Sequence, residues 1–187
     1  TNADFIHLDI MDGKFVPNKT WTSSEIKKIT DKTTKKLDVH LMVNDPLKYI
    51  EDYAMLNTEY FVFHIESVKD INFSINKVKE LGLKPGLAVK PETNINDIIP
   101  YLKDIKQVLV MSVEPGKSGQ KFMESILYKI EALRKIIDEK NYDVMINVDG
   151  GINNETVTEV KEKGADCVVS ASYLQEGNMQ EKIDTLR

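Results

Sequence analysis

Residues 37–66, LDVHLMVNDPLKYIEDYAMLNTEYFVFHIE, contain two short apolar runs separated by a longer amphipathic segment. The runs Leu37–Val43 and Tyr60–Glu66 have the length and apolar character of buried strands, whereas Pro46–Leu56 has the pattern of a helix between them. A strand, a helix and a second strand in this order predict two parallel strands joined by a right-handed crossover.

The same alternation continues on both sides of this unit, with no linker or low-complexity tract to interrupt it. Further strands are predicted at Phe5–Ile10, Gly86–Lys90, Gln107–Val113, Val144–Asp149 and Asp166–Ala171. Further helices are predicted at Ile71–Leu81, Asn94–Leu102, Met123–Lys140 and Glu155–Lys163, and residues 183–187 read as part of a closing helix. Gly164 is expected to cap the end of the helix that precedes the last strand.

The number of units decides which parallel architecture is expected. Seven strands are visible, whereas a closed barrel of alternating strands and helices has eight strands in about 250 residues. Residues 1–4 come directly before a strand and look like the tail of a helix. The sequence therefore predicts an α/β fold, a single (β/α)8 TIM barrel domain over residues 1–187 without its first β-α unit. An open doubly wound sheet is the alternative.

Composition excludes several classes of partner. The chain is 41% hydrophobic and 29% charged, which is ordinary for a globular protein, and its net charge of −5 argues against a broad surface for nucleic acid or anionic membrane. Cys167 is the only cysteine, so no intrachain disulfide is possible. No apolar run approaches the roughly 20 residues of a membrane span. We therefore expect a cytoplasmic protein that acts on a small molecule.

Polar residues at strand ends are the candidates for chemistry, because the active sites of such barrels lie at the carboxyl ends of the strands. His7 and Asp9 are two apart on one strand and so face the same side, while His40 and Asp149 close two other strands. Taken singly, such residues are more often structural, and the same holds for His64 near another strand end. Taken together, the quartet favours a divalent metal such as Zn²⁺, Fe²⁺ or Mn²⁺.

Small residues follow the last three strands and predict a phosphate site. Where glycine leaves room, backbone N–H groups approach an anion closely. The residues of these loops are Gly116, Lys117, Ser118, Gly119, Gly150, Gly151, Ala171 and Ser172. The side chain of Lys117 either adds positive charge toward the phosphate or points into solvent.

Four segments, in order, resemble signature segments of the ribulose-phosphate 3-epimerase family. They are HLDIMDGKFVPN at 7–18, DVHLMV at 38–43, VMSVEPG at 110–116 with Gly119, Gln120 and Phe122, and VDGGIN at 148–153. The resemblance covers essentially the whole chain. The family's opening strand, with its Pro-Ser segment, has no counterpart. The chain also departs from the family's usual Gly-Phe-Gly-Gly at residues 116–119 and from its usual Gly-Ser at residues 171–172.

The resemblance implies an isomerase of the pentose phosphate pathway that interconverts D-ribulose 5-phosphate and D-xylulose 5-phosphate. It implies one divalent ion (Zn, Fe(II), Mn or Co) and no redox cofactor. The residues that match family roles are His7, Asp9, His40 and Asp149 as metal ligands, Asp9 and Asp149 as the acid/base pair, His40 also as a substrate contact, and Met11, Met42 and Met111 as site-lining methionines. We also expect a homo-oligomer with no nucleic-acid or membrane partner.

Other activities remain open at this point. D-allulose-6-phosphate 3-epimerisation would use the same catalytic set, and a truncated barrel that only binds phosphate is a non-catalytic alternative. A Schiff-base aldolase would use Lys90 at the end of its strand. The segment 138–143, DEKNYD, matches the Asp-x-Lys-x-x-Asp pattern of phosphate-barrel decarboxylases by letter, yet it precedes its strand and so falls on the wrong face of the barrel.

Overall fold

The computed structural model describes residues 1–187 and contains one sheet of seven parallel strands. The strands are β1 Phe5–Met11, β2 Lys36–Met42, β3 Thr58–His64, β4 Lys84–Val89, β5 Gln107–Met111, β6 Met145–Asp149 and β7 Cys167–Val169. All seven predicted strands are confirmed, and their ends differ from the prediction by at most two residues.

Six α-helices and several short 3-10 segments connect the strands. The helices are α1 Ser23–Thr30, α2 Ile50–Ala54, α3 Ile71–Glu80, α4 Leu127–Lys140, α5 Thr156–Glu162 and α6 Met179–Thr185. The predicted cap at Gly164 is confirmed, because this residue has φ +100° and its N–H bonds the carbonyl of Lys161 after α5 ends. No helix of the chain is both long enough and apolar enough to cross a membrane.

Two predicted helices are divided in the structure, and one helix was missed. Pro46–Leu56 forms a 3-10 segment, Pro46–Lys48, followed by α2. Asn94–Leu102 forms two 3-10 segments, Ile95–Asp97 and Ile99–Asp104, because Pro100, in the interior of the predicted helix, has no N–H to donate to the carbonyl of Asn96. Helix α1 was not predicted at all. Its amino-terminal signal is a capping box, in which Thr22 Oγ1 accepts from the N–H of Glu25 and the Glu25 side chain accepts from the N–H of Thr22.

The strands are hydrogen-bonded in the order of the sequence, from β1 to β7. A doubly wound sheet would reverse its strand order at one point, so that alternative is excluded and the sheet is that of a (β/α) barrel. The paired strands are β1–β2 through β6–β7, and β1 and β7 do not pair with each other. We call the gap between these two edges the seam.

Residues along each strand alternate between two apolar layers. Outward-facing side chains such as Val39, Phe61 and Val148 pack under the helices in a core of 31 buried residues. Inward-facing side chains such as Val62 and Leu109 form a smaller cluster inside the barrel. Because this inner face also carries the polar residues of β1, β2 and β6, the alternation aims them into the barrel interior.

Candidate active site

Two histidines and two aspartates meet at the carboxyl ends of three strands. His7 and Asp9 lie on β1, His40 on β2 and Asp149 on β6, and the strand register places Asp9 directly beside His40. One nitrogen or carboxylate oxygen from each of these side chains lies within 4.8 Å of all the others. The four residues that the sequence singled out therefore share one site.

The atoms of this quartet leave room for a central ion. His7 Nε2 lies 3.3 Å from Asp9 Oδ1 and 3.8 Å from Asp149 Oδ2, and His40 Nδ1 lies 3.0 Å and 3.8 Å from the same two oxygens. His7 Nε2 is buried and has no hydrogen-bond partner. An unsatisfied buried polar atom costs about 1–3 kcal/mol, which coordination to a metal would remove. Two nitrogens and two carboxylates also form a donor set that suits a divalent transition metal.

A buried polar layer below the quartet orients His7. Asp38 Oδ2 lies 2.8 Å from His7 Nδ1 and accepts hydrogen bonds from Asn147 Nδ2 (3.1 Å) and Gln107 Nε2 (3.4 Å). Because the Asp38 carboxylate accepts, a neutral His7 carries its proton on Nδ1 and presents the Nε2 lone pair to the quartet. Sequence reasoning did not assign Asp38, Gln107 or Asn147 to the site. The available signal was spacing, because Asp38 and Asn147 stand two residues before His40 and Asp149.

The pKa of His7 reflects this layer. Burial lowers the pKa of His7, but the charge of Asp38 and its hydrogen bond, with a smaller contribution from Asp9, raise it well above its ordinary value. Without a metal ion the imidazole is therefore held as a cation among carboxylates.

The two aspartates of the quartet differ in proton affinity. Burial raises the pKa of Asp9, but the adjacent imidazoles of His40 and His7 outweigh it and hold the pKa of Asp9 well below its usual range. Burial raises the pKa of Asp149, and the charges of His7 and His40 do not compensate for it. The side chain of Asp9 is 43% exposed, whereas that of Asp149 is 15% exposed. Two carboxyl groups with opposite shifts are suited to opposite protonation states.

An open cleft of about 1710 Å³ runs from the quartet along the seam. Met11, Met42 and Met111, which the resemblance places around the site, all line this cleft, and Met42 and Met111 are buried. Thioether side chains near the quartet make the local surface apolar without adding a competing charge.

The three predicted phosphate loops converge on the same cleft, which their residues line. A Cβ atom on Gly119 would lie 3.9 Å from Ser172 Oγ, so the loops after β5 and β7 are neighbours. Gly151 has φ +62°, and a Cβ there would lie 2.5 Å from the backbone nitrogen of Phe122, so only glycine fits between the loops after β5 and β6. Lys117 and Ala171 are exposed, and the Lys117 ammonium contacts no carboxylate.

The chain is similar to known proteins over most of its length. The model of the ribulose-phosphate 3 epimerase family matches residues 1–175. The chain is 40% identical over 171 residues to the ribulose-phosphate 3-epimerase of Bacillus subtilis, covering 91% of this chain and 79% of that protein. It is 43% identical over 172 residues to the one from Methanocaldococcus jannaschii, covering 92% and 73%. The chain belongs to the ribulose-phosphate 3-epimerase family.

Membership of the ribulose-phosphate 3-epimerase family confirms the resemblance and the expectation of an epimerase. Solved structures support the fold alone. N-(5'-phosphoribosyl)anthranilate isomerase from Pyrococcus furiosus superposes with a TM-score of 0.66 at 14% identity, covering 98% of this chain and 86% of that one. A tryptophan synthase complex from the same organism gives a TM-score of 0.67 at 14% identity, with the same two coverages.

The residues behind the rival activities make other contacts. Lys90 Nζ lies 4.8 Å from the centroid of the Phe15 ring, in a cation–π contact. Asp138 belongs to the last turn of α4 and pairs with Arg134 on the surface of that helix. Residues 138–143, which match the decarboxylase pattern, therefore precede β6 and do not lie at its carboxyl end.

Proposed function

We propose that this chain inverts the configuration at carbon 3 of a ketose phosphate and interconverts D-ribulose 5-phosphate and D-xylulose 5-phosphate. The observation that carries the proposal is the meeting of Asp9 and Asp149, from separate strands, with two imidazoles at the mouth of a barrel of this family. The relatives named above are ribulose-phosphate 3-epimerases, which supports this choice of substrate.

The two carboxyl groups perform the proton transfers. One carboxylate removes the proton from carbon 3 on one face of the substrate, and the electron pair passes to the neighbouring carbonyl to give an enediolate. The opposite carboxylic acid then returns a proton to the other face, and the two groups exchange roles in the reverse direction. Asp9 and Asp149 fit this scheme because they approach from different strands and favour opposite protonation states. Met11, Met42 and Met111 limit the entry of water to the reacting carbon.

We propose that His7, Asp9, His40 and Asp149 hold one divalent ion, among Zn, Fe(II), Mn and Co. Such an ion supplies Lewis-acid stabilisation of the negative charge that develops on the substrate oxygens. The unpaired, buried His7 Nε2 supports this assignment independently of sequence similarity.

We propose that the substrate phosphate binds in the cleft between the loops after β5, β6 and β7. Backbone N–H groups of Gly119, Gly151 and Ser172 are candidates to donate to it, and the two glycines permit close approach. The remaining loop residues complete the proposed substrate contacts. His40 has no exposed surface, so its predicted contact with substrate would be made through the proposed metal. An unphosphorylated ketopentose should therefore be a much poorer substrate than its phosphate.

The experiment that tests this function begins with chelator-treated protein. We expect no epimerisation until one equivalent of Zn²⁺, Fe²⁺, Mn²⁺ or Co²⁺ is restored, and faster turnover of D-ribulose 5-phosphate than of D-allulose 6-phosphate. His40→Ala should lose metal and activity together. Glu162→Ala, which changes an exposed side chain on α5, is the matched control and should retain both. Full metal content in a variant lacking both His7 and His40 would reject the metal assignment.

We also propose that the seam accepts one further parallel strand as part of a β-α unit ahead of β1. Both edges of the seam are unpaired, and eight strands are the number at which such barrels close. The matched relatives are longer than the matched region, which makes up 79% of the Bacillus subtilis protein. A cytoplasmic location is proposed as well, since a 40% identical rice relative is named a cytoplasmic isoform. The homo-oligomer stays a prediction.

A further inference from the structure

A chain of three side chains leads from the quartet toward β4. His40 has no exposed surface, and its Nε2 lies 2.9 Å from Nε2 of His64 on β3, on the side of the ring away from Asp9. His64 is equally buried, and its Nδ1 lies 3.2 Å from Glu66 Oε2. The two imidazole rings are 5.0 Å apart and tilted by 37°.

The hydrogen-bonding capacity of these groups fixes the direction of every proton in the chain. An ionised Glu66 only accepts, so His64 donates from Nδ1 and its Nε2 carries a lone pair. Two facing imidazole nitrogens at hydrogen-bond distance share one proton, so His40 must donate from Nε2. In the neutral form that would bind a metal, His40 then has its lone pair on Nδ1, the atom that lies 3.0 Å from Asp9 and faces the quartet.

Glu66 is itself held by the segment that follows β4. Its Oε1 accepts hydrogen bonds from the backbone N–H of Lys90, at 3.2 Å, and from Thr93 Oγ1. The buried Lys129 Nζ donates to the carbonyls of Lys90 and Thr93, at 3.2 and 2.5 Å, and so fixes this segment against α4. Burial raises the pKa of Glu66, but hydrogen bonds from His64 and Thr93 outweigh it and lower the pKa to about 2.

We propose that His64 and Glu66 are positioning residues, which hold His40 in the tautomer whose Nδ1 lone pair faces His7, Asp9 and Asp149. The inference rests on the proposed metal function of this quartet. Neither residue touches the quartet's centre, and each acts through the proton on its neighbour. Partners of metal-bound histidines typically change metal affinity by about 10–100-fold when they are removed.

Three variants separate this role from simple packing. Glu66→Gln keeps the shape. The oxygen of the Gln side chain accepts from Lys90 N–H and Thr93 Oγ1, so its NH₂ group faces His64 and donates to Nδ1. The proton of His64 then moves to Nε2, and that of His40 moves to Nδ1. His64→Leu removes the acceptor for His40. We call the hydrogen-bonded series His40–His64–Glu66 the relay. His64→Gln retains an acceptor for His40 and a donor for Glu66, so it should restore the function of the relay. Glu162→Gln, on the surface of α5, is the matched control.

Two measurements decide the matter. The dissociation constant for Zn²⁺, from competition with a chromophoric chelator, should rise about 10–100-fold in Glu66→Gln and His64→Leu, and only a few-fold in His64→Gln. Nitrogen-15 NMR of the metal-free protein should show His64 protonated on Nδ1, and on Nε2 in Glu66→Gln. Circular dichroism identifies any variant that fails to fold. If His64→Leu does not fold, the comparison rests on Glu66→Gln.

An unchanged Zn²⁺ constant in folded Glu66→Gln, or a proton on His64 Nε2 in the unmodified protein, would overturn the relay. The tautomer of His64 is read without metal or substrate. A protein that shows the expected tautomer but epimerises no ketose phosphate would therefore support the relay while rejecting the proposed function.

Discussion

Asp9 and Asp149 carry the same functional group in opposite surroundings. Asp9 lies against two imidazoles and is partly open to solvent, while the side chain of Asp149 is largely buried. Replacing either with Asn keeps the shape and removes a proton-transfer group, so each single variant should lose at least about 10²-fold in kcat at saturating metal. The double variant should lose little more, because the two-step proton transfer already fails when either carboxyl group is absent.

Steady-state kinetics on metal-loaded variants measure these losses, with Glu162→Gln as the control for an amide substitution on the surface. Metal content must be measured in parallel, since both residues are proposed ligands. Near-normal turnover in either single variant with metal bound would mean that the carboxyl groups only hold the ion.

The quartet could be predicted from sequence because its members stand toward the ends of three strands, with His7 and Asp9 two residues apart on one of them. The supporting residues could not. In the sequence, Asp38 is a single polar residue in an apolar run. Its role depends on its position opposite His7 in the β1–β2 pairing. Glu66 lies beyond the end of β3. Its partner Thr93, and Lys129, which donates to the Thr93 carbonyl, are distant in sequence. Such contacts follow from the curvature of the barrel, which local pattern does not encode.

At the scale of elements, α1 shows how a short helix depends on its cap. Only Ile26 and Thr30 of this helix are buried, so its apolar pattern is weak and the reciprocal Thr22–Glu25 hydrogen bonds mark its start. Thr22→Ala should lower the free energy of unfolding by about 1 kcal/mol, because the hydroxyl that accepts from the N–H of Glu25 and donates to the Glu25 carboxylate is lost. Urea denaturation measures the change. Thr34→Ala, at an exposed threonine without such a bond, is the control, and equal stability of the two variants would contradict the cap's contribution.

Strands were easier to predict than helices for a physical reason. A strand buried on both faces is an apolar run whatever lies around it, as in β3 and β5. The segments between strands need only cover the outer apolar layer, and a 3-10 segment such as Ile99–Asp104 covers it as well as an α-helix does. Pro100 was the available signal there.

At the scale of the whole molecule, β1 and β7 are the two edge strands of the sheet formed by residues 1–187, and the seam lies between them. The amides of β1 and β7 on the seam should exchange with solvent faster than those of β3 and β4, which pair on both sides.

Cys167 on β7 lines the seam, and burial raises the pKa of its thiol to about 11, so its reaction with thiol reagents at neutral pH should already be slow.

Joining a β-α unit from the Bacillus subtilis relative ahead of Thr1 should protect the β1 and β7 amides and slow the labelling of Cys167 further. Hydrogen exchange read by mass spectrometry and timed thiol labelling measure both effects. The same extension with its strand residues replaced by Gly and Ser is the control. Amides of β1 and β7 that are already as protected as those of β3 in the chain itself would show that the seam closes without a further strand.

The most direct test of the account is turnover of D-ribulose 5-phosphate in deuterated water. Proton transfer through two carboxyl groups, one of them 43% exposed, exchanges the substrate's proton for one from solvent. We predict D-xylulose 5-phosphate with one deuterium at carbon 3, formed only when the metal is present and lost in both Asp→Asn variants. Epimerised product that retains the original hydrogen at carbon 3 would contradict the two-base mechanism, and no conversion by the metal-loaded protein would contradict the proposed function.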